Sequence, residues 1–362
     1  MIAVPRKEEV PAGSRRVLLL LVSATLAGVV FLAAAPQSHA TPARLSAAAS
    51  GAAAIPTVEI ARGVQMPVMN VGTCCGSDVL TGVPAWLEAG GRGIDTAFDY
   101  GGVGEKFVPG GLQTDLRDLM RRGTWPREQL FISTKVPGGL NPPLQFGSYP
   151  FGKCVAGQFD SPAENAYQQV LADLDELGVD QLDLVLLHAP CEDRALNRQL
   201  WAAMERALAR NLTRSIGVSN YNRDDLADLL RHARVKPSVN ECQFSLSQRS
   251  EEDLAFAQAE GIRVVAYGVS KGCPTEDPSA RAIASRHGVS VTQVCLRWAV
   301  QRGVLLAVGL GTSERVAAHA SDNAAVFQFA LTTEEMAELE ASVPIEIPVC
   351  PPGPLARGGC VA

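Results

Sequence analysis

Four residues of this sequence carry usable chemistry if the fold brings them together: Asp95, Tyr100, Lys135 and His188. Asp95 and Tyr100 stand five apart in "GIDTAFDY", Lys135 lies in "LFISTKV", and His188 follows the apolar run in "LDLVLLHAP". A tyrosine, with a pKa of about 10, is a poor acid at neutral pH. A lysine ammonium within a few ångströms favours the phenolate and makes the phenol a better donor. An aspartate paired to that lysine keeps it charged and in place. A histidine beside the phenol orients or polarises a carbonyl oxygen. Together the four deliver a proton to an oxygen that gains negative charge. That suits carbonyl reduction, with hydride arriving from a nicotinamide on the other face. Taken alone, His188 also reads as a buried histidine satisfied by a backbone carbonyl. Its company on one rim favours catalysis.

The elements that must position these residues follow one rhythm from about residue 56 to residue 343. "VEIARGVQMPVMNVG" reads as a short hairpin leading into a first strand. Strands at "GIDTAFDY", "LFISTKV", "LDLVLLHAP", "SIGVSN", "SVNECQ", "RVVAYG" and "VLLAVGLG" then alternate with amphipathic segments. One of these, "SPAENAYQQVLADLDELG", opens with Ser161 and Glu164 three residues later, a helix-capping signature. Alternation of this kind implies parallel βαβ units. Eight units in this length fit an α/β fold of the (β/α)8 TIM-barrel type, with the hairpin at its N-terminal side. A doubly wound open sheet is the alternative, but no G-x-G-x-x-G follows the first strand. In a barrel the chemistry sits at the carboxyl ends of the strands. Those ends carry Asp95 and Tyr100, Lys135, His188, and then Ser219 and Asn220.

The chain has 362 residues, 47% hydrophobic and 19% charged, with a net charge of −6. No Lys/Arg-rich stripe marks a nucleic-acid partner. Residues 1–40 read as a signal peptide: Arg15 and Arg16, then the uncharged run "VLLLLVSATLAGVVFLAAA", Pro36, and "SHA" ending at Ala40. That run is also just long enough to span a bilayer, so an uncleaved signal-anchor is the rival, and the only route to a membrane. Residues 41–55, rich in Ala and Ser, read as a linker or a transit-like segment. The destinations implied are the secretory pathway, a membrane through the anchor, or a plastid through a two-part leader. Residues 344–362 form a C-terminal tail. Nine cysteines lack C-x-x-C spacing, which argues against a zinc site; in an oxidising lumen Cys350 and Cys360 are candidates for a bridge. "NLT" at Asn211 is a glycosylation sequon that runs directly into an apolar strand.

Over residues 57–343 the sequence resembles the aldo-keto reductase family. "GRGIDTAFDYG" is similar to that family's "GYRxIDTAxxYxN", and "LDLVLLHAP" to "DLYLIHWP". "SIGVSNYN", "VNECQFSL" and "VVAYGVS" resemble "IGVSNF", "NQVEXHP" and "VVAYSPL", and the lysine strand and "VTQVCLRWAVQRGV" also have counterparts. The resemblance implies a barrel that uses NADPH, with NADH possible, to reduce a small-molecule carbonyl, and a monomer. It makes Tyr100 the proton donor, tuned by Lys135 and Asp95, with His188 orienting the substrate. It assigns Ser219 and Asn220 to the nicotinamide carboxamide and Tyr267 to stacking on the ring. Four departures stand out. Glu241 replaces the family's glutamine at the carboxamide, where a carboxylate accepts but cannot donate. The lysine for the 2'-phosphate is missing, leaving Ser313 and Arg315 as candidates, although Arg315 also reads as a solvated helix charge. The pocket tryptophans are absent, with Cys74 and Ala189 nearby. Two rim segments, "YGGVGEKFVPGG" and the stretch after Lys135, are longer than in the family and shape substrate choice. Two other readings compete: a nucleotide-binding redox sensor or auxiliary subunit of a membrane complex with little turnover, and a Schiff-base aldolase using Lys135.

Overall fold

A computed structural model describes residues 55–74, 77–98, 100, 111–122, 125–137, 161–191, 193–311 and 314–344. The leader, the linker up to residue 54, Ser313, both long rim segments and the Cys350–Cys360 tail lie outside these residues. The chain order is β1 (Thr57–Ala61), β2 (Val64–Pro67), β3 (Met69–Gly72), α1 (Val79–Glu88), β4 (Gly93–Asp95), α2 (Gly111–Arg121), β5 (Phe131–Val136), α3 (Pro162–Leu177), β6 (Leu184–Leu187), α4 (Arg194–Ala209), β7 (Ile216–Ser219), α5 (Arg223–Leu230), β8 (Val239–Gln243), α6 (Glu251–Ala259), β9 (Arg263–Tyr267), α7 (Pro278–His287), α8 (Val291–Gln301), β10 (Leu305–Gly309), α9 (Val316–Ala324) and α10 (Thr333–Ser342).

Strands β3 to β10 close into a barrel in chain order, and every neighbouring pair is parallel. This is the (β/α)8 barrel expected from the alternation. The antiparallel β1–β2 hairpin sends Ile60, Val64 and Met66 against the barrel-interior residues Phe131, Leu184, Leu186, Val239, Val265, Leu305 and Ala307. The outward set, including Ile132, Val185, Leu187 and Cys242, packs under the helices. This in-and-out alternation has the period of two that a strand imposes. The apolar run ending in His188 is a strand buried on both faces: Leu184 to Leu187 have almost no exposure.

The interior changes character along its length. On β5 the inward residues run from Phe131 through Ser133 to Lys135, and on β8 from Val239 to Glu241. An apolar plug therefore lies below a polar layer at the carboxyl ends. Gly217 on β7 keeps that interior closed. A Cβ there would meet the Val239 carbonyl oxygen at 2.6 Å and Leu186 Cδ2 at 2.7 Å, so no side chain fits.

Several local readings shift in the folded chain. "GIDTAFDY" is a strand only over Gly93–Asp95, which leaves Tyr100 in the following loop. Ser161 does cap α3 by accepting from Glu164 N at 3.1 Å, but the Glu164 carboxylate turns to Gln168 and Arg206. The closing helix α10 lies beyond the last element of the sequence reading. Its signal is present in "TTEE", because Thr332 and Glu335 form a reciprocal capping box. The sequon residue Asn211 is exposed in a left-handed turn, φ 59°, whereas Thr213 is buried with its hydroxyl donating to the Ser215 carbonyl. No described helix is long and apolar enough to cross a membrane.

Cysteine pairing was not legible. Cys273, six residues past β9, is bonded to Cys295 in α8, with 5.8 Å between their Cα atoms. Cys74 and Cys191 are disulfide-bonded as well, and Cys242 is a free buried thiol.

Candidate active site

Lys135 is the centre of the polar layer. It lies on the inward face of β5 and is 1% exposed, so its ammonium must find all its partners within the protein. It donates to Asp95 Oδ2 at 2.7 Å and to the Thr96 carbonyl at 3.1 Å, and Glu241 Oε1 lies 3.2 Å away. Three acceptors match its three N–H donors. Asp95, from the adjacent strand β4, also accepts from Ser133 Oγ at 2.7 Å through its other oxygen. Its carboxylate is thereby fixed in both position and orientation. Burial alone would lower the lysine's pKa, but the charges of Asp95 and Glu241 outweigh it and hold Lys135 well above its ordinary value.

Tyr100 sits over this ammonium, its ring centre 5.2 Å from Lys135 Nζ. The phenolate form of Tyr100 favours the charged lysine, and the relation is reciprocal. The His188 ring meets the Tyr100 ring edge-to-face, 5.7 Å between centres. His188 follows β6 directly, and its N–H donates to the Val136 carbonyl, which continues the β5–β6 ladder. Asp95, Tyr100, Lys135 and His188 thus converge at the carboxyl ends of three consecutive strands, as the strand-end reading anticipates.

A second polar group stands at the ends of β7 and β9. Asn220, at φ 62°, donates from Nδ2 to the His188 carbonyl at 2.9 Å and to Ser219 Oγ at 3.1 Å. The Tyr267 hydroxyl donates to Asn220 Oδ1 at 2.7 Å. Ser219 Oγ and Asn220 N donate to the Glu241 carbonyl. The left-handed backbone at Asn220 is a conformation that asparagine adopts more readily than most residues. Ser219, Asn220 and Tyr267 place a hydroxyl, an amide and a half-buried ring side by side, their hydrogen bonds closed on one another and on the His188 and Glu241 carbonyls.

Glu241 has a partner that its place in the sequence does not announce. Its motif position groups it with Ser219 and Asn220, but its carboxyl crosses the barrel to Lys135. Burial, then the nearby Asp95 charge, push its pKa up to about 8, with Lys135 opposing. These surroundings favour its protonated form, which carries an O–H donor that a carboxylate lacks. Arg315 is exposed at the N-terminus of α9, just past β10. None of the four tryptophans stands on the rim: Trp86, Trp201 and Trp298 lie in α1, α4 and α8, and Trp125 precedes β5.

The sequence profile of the Aldo/keto reductase family matches residues 76–275 and 271–344. An uncharacterised oxidoreductase of Bacillus subtilis, YtbE, is 30% identical over 290 residues, which is 77% of this chain and 90% of the relative. The glyoxal reductase of the same organism is 29% identical over 296 residues, 79% of this chain and 92% of the relative. A crystal structure of a silkworm aldo-keto reductase complexed with NADPH superposes with a TM-score of 0.64 at 26% identity, covering 80% of this chain and 88% of the other. With the barrel and the four-residue layer in place, the chain belongs to the aldo-keto reductase family of oxidoreductases.

Proposed function

We propose that this protein reduces an aldehyde or ketone to an alcohol, with Tyr100 as proton donor and NADPH as reductant. The observation that carries the reading is the buried Lys135 ammonium, pinned by Asp95 at 2.7 Å and set beneath the Tyr100 ring. The bound dinucleotide supplies the hydride. Tyr100 Oη gives its proton to the carbonyl oxygen as that oxygen gains charge. Lys135 stabilises the phenolate left behind, and Asp95 keeps Lys135 from moving toward it. His188, edge-on to Tyr100, holds the carbonyl oxygen in line with the phenol. Ser219 and Asn220 would hold the carboxamide, Tyr267 would stack on the ring, and Arg315, with Ser313 as its sequence partner, would meet the 2'-phosphate. The NADPH-bound silkworm relative supports this cofactor, and the glyoxal reductase relative supports a small carbonyl substrate. The complete proton-donating set favours turnover over a binding-only role.

The test is steady-state oxidation of NADPH with a panel of aldehydes and ketones, beside Tyr100→Phe. General acid catalysis is worth about 10²- to 10⁴-fold. The variant should lose that much kcat and keep cofactor affinity. An unchanged kcat refutes the role of Tyr100. Tight cofactor binding with no turnover on any carbonyl refutes the reductase reading.

A further inference from the structure

The polar layer holds two carboxyl groups around one ammonium. Asp95 arrives from β4, next to β5, and Glu241 from β8, which is separated from β5 by β6 and β7. All three side chains are almost fully buried, at 1% to 6% exposure. With both acids ionised the layer carries an uncompensated negative charge out of contact with water, which is unfavourable in a low-dielectric interior. One proton neutralises it. We propose that Glu241 is a positioning residue for the proton donor: it grips Lys135 from across the barrel and, by holding or releasing one proton, sets how strongly that ammonium acidifies Tyr100.

The argument follows from which group is tied down. Asp95 accepts from Lys135 and Ser133, two donors that stabilise its ionised form. Glu241 has the longer contact to Lys135, and its other neighbour in the layer is the Asp95 carboxylate, with which its carboxyl shares a hydrogen bond. The extra proton therefore resides on Glu241, in agreement with the direction in which its environment pushes it. The titratable side chains that act on it are Asp95 on β4 and Lys135 on β5, and Lys135 in turn lies 5.2 Å from the ring centre of Tyr100, in the loop after β4. His188 and Tyr267 complete the rim on β6 and β9. While Glu241 is neutral, Lys135 is matched by Asp95 alone and the layer has no net charge. Once Glu241 ionises, a negative charge stands against the ammonium and disfavours the phenolate that proton donation leaves behind. The reducing step is then slower. The two ionisations are coupled, so protons leave the Glu241–Tyr100 pair in two steps at alkaline pH.

The kinetic consequence rests on the reductase reading, but the titration of Tyr100 does not, so the two can fail separately. Using the full chain, Tyr100 ionisation is followed by near-ultraviolet absorbance as the difference between wild type and Tyr100→Phe, over about pH 6 to 11. The same difference is taken in a Glu241→Gln background. Removing a nearby negative charge should bring the Tyr100 midpoint down by about one pH unit or more. Superimposable titrations overturn the proposal. With NADPH and an aromatic aldehyde, the alkaline fall of kcat should have two steps in wild type and one in Glu241→Gln. Identical profiles also overturn it. If wild type turns over no carbonyl, the reductase reading fails while the absorbance titration still decides the role of Glu241. If Glu241→Gln does not fold, the infrared band of a protonated carboxyl is read in wild type. It should vanish as pH rises through about 8, and its absence at neutral pH overturns the proposal.

Discussion

Replacing Asp95 by asparagine is the sharpest probe of the charged layer. Removing one partner of a buried pair ordinarily destabilises by about 3–5 kcal/mol, because a charge is left uncompensated. Here a second carboxyl waits at 3.2 Å, against 2.7 Å for Asp95. At an effective dielectric constant of about 20 these separations correspond to ~5 and ~6 kcal/mol of attraction to the ammonium. Burial still disfavours the Glu241 charge, but with Asp95 replaced the opposing carboxylate is gone and Lys135 draws Glu241 toward its ionised form. The net loss for Asp95→Asn should then be only about 1–2 kcal/mol. Glu241→Gln alone should be neutral or stabilising at neutral pH, because burial already disfavours the Glu241 charge. The double variant leaves the ammonium without a carboxylate and should lose about 4 kcal/mol, a coupling of roughly 2–3 kcal/mol. Urea unfolding of the four proteins with disulfides intact measures each value. A pH series adds a signed test. The folded pKa of Glu241 is raised from 4.5 to about 8, so the folded chain keeps a proton that the unfolded chain has released between those values. Stability from this group is full below 4.5, declines as pH rises and is gone above about 8, and Glu241→Gln should remove that decline. An Asp95→Asn loss as large as that of the double variant, or strict additivity, would refute the reasoning.

Three further outcomes follow from other parts of the structure. Gly217→Ala forces a Cβ to 2.6 Å from a backbone carbonyl and should lower unfolding free energy by about 2–3 kcal/mol, with a parallel drop in melting temperature. Cys273→Ser with Cys295→Ser opens a 22-residue span; a loop of that length corresponds to ~3 kcal/mol in the chain-entropy account, read as a denaturant midpoint shift without reductant, against which full reduction of wild type should shift the midpoint at least as far. Arg315→Ala should raise KM for NADPH several-fold and leave KM for NADH unchanged; equal changes for both cofactors would remove Arg315 from the 2'-phosphate.

The architecture was legible because each strand carries its own signal. Leu184 to Leu187 read as a doubly buried strand, and they are one. The convergence of Asp95, Lys135 and His188 followed from placing each at a strand end in a ring whose order is the chain order. What stayed hidden depends on distances across the ring. Nothing near Glu241 in sequence announces Lys135, since the two strands are not neighbours and only closure of the barrel brings them to 3.2 Å. The Cys273–Cys295 bond is hidden for a similar reason: it needs the path of the loop after β9 and the rotation of α8, neither of which spacing specifies. The missed helix α10 is a different case. Its capping pair Thr332 and Glu335 was readable, and only its place after the last barrel unit concealed it.

The disulfide-bonded cysteines Cys74, Cys191 and Cys273 leave the barrel after β3, β6 and β9. Three strand steps lead from β3 to β6 and three from β6 to β9, and two return to β3, so disulfide-bonded cysteines are spread around the ring. The layer beneath is joined only by charge and hydrogen bonds. Thiol reagents and alkali therefore address different storeys of one molecule. A reductant opens ties that lie outside the Lys135 cluster and finds in that cluster no bond to break. A rise in pH draws a proton from the cluster and leaves those covalent ties in place.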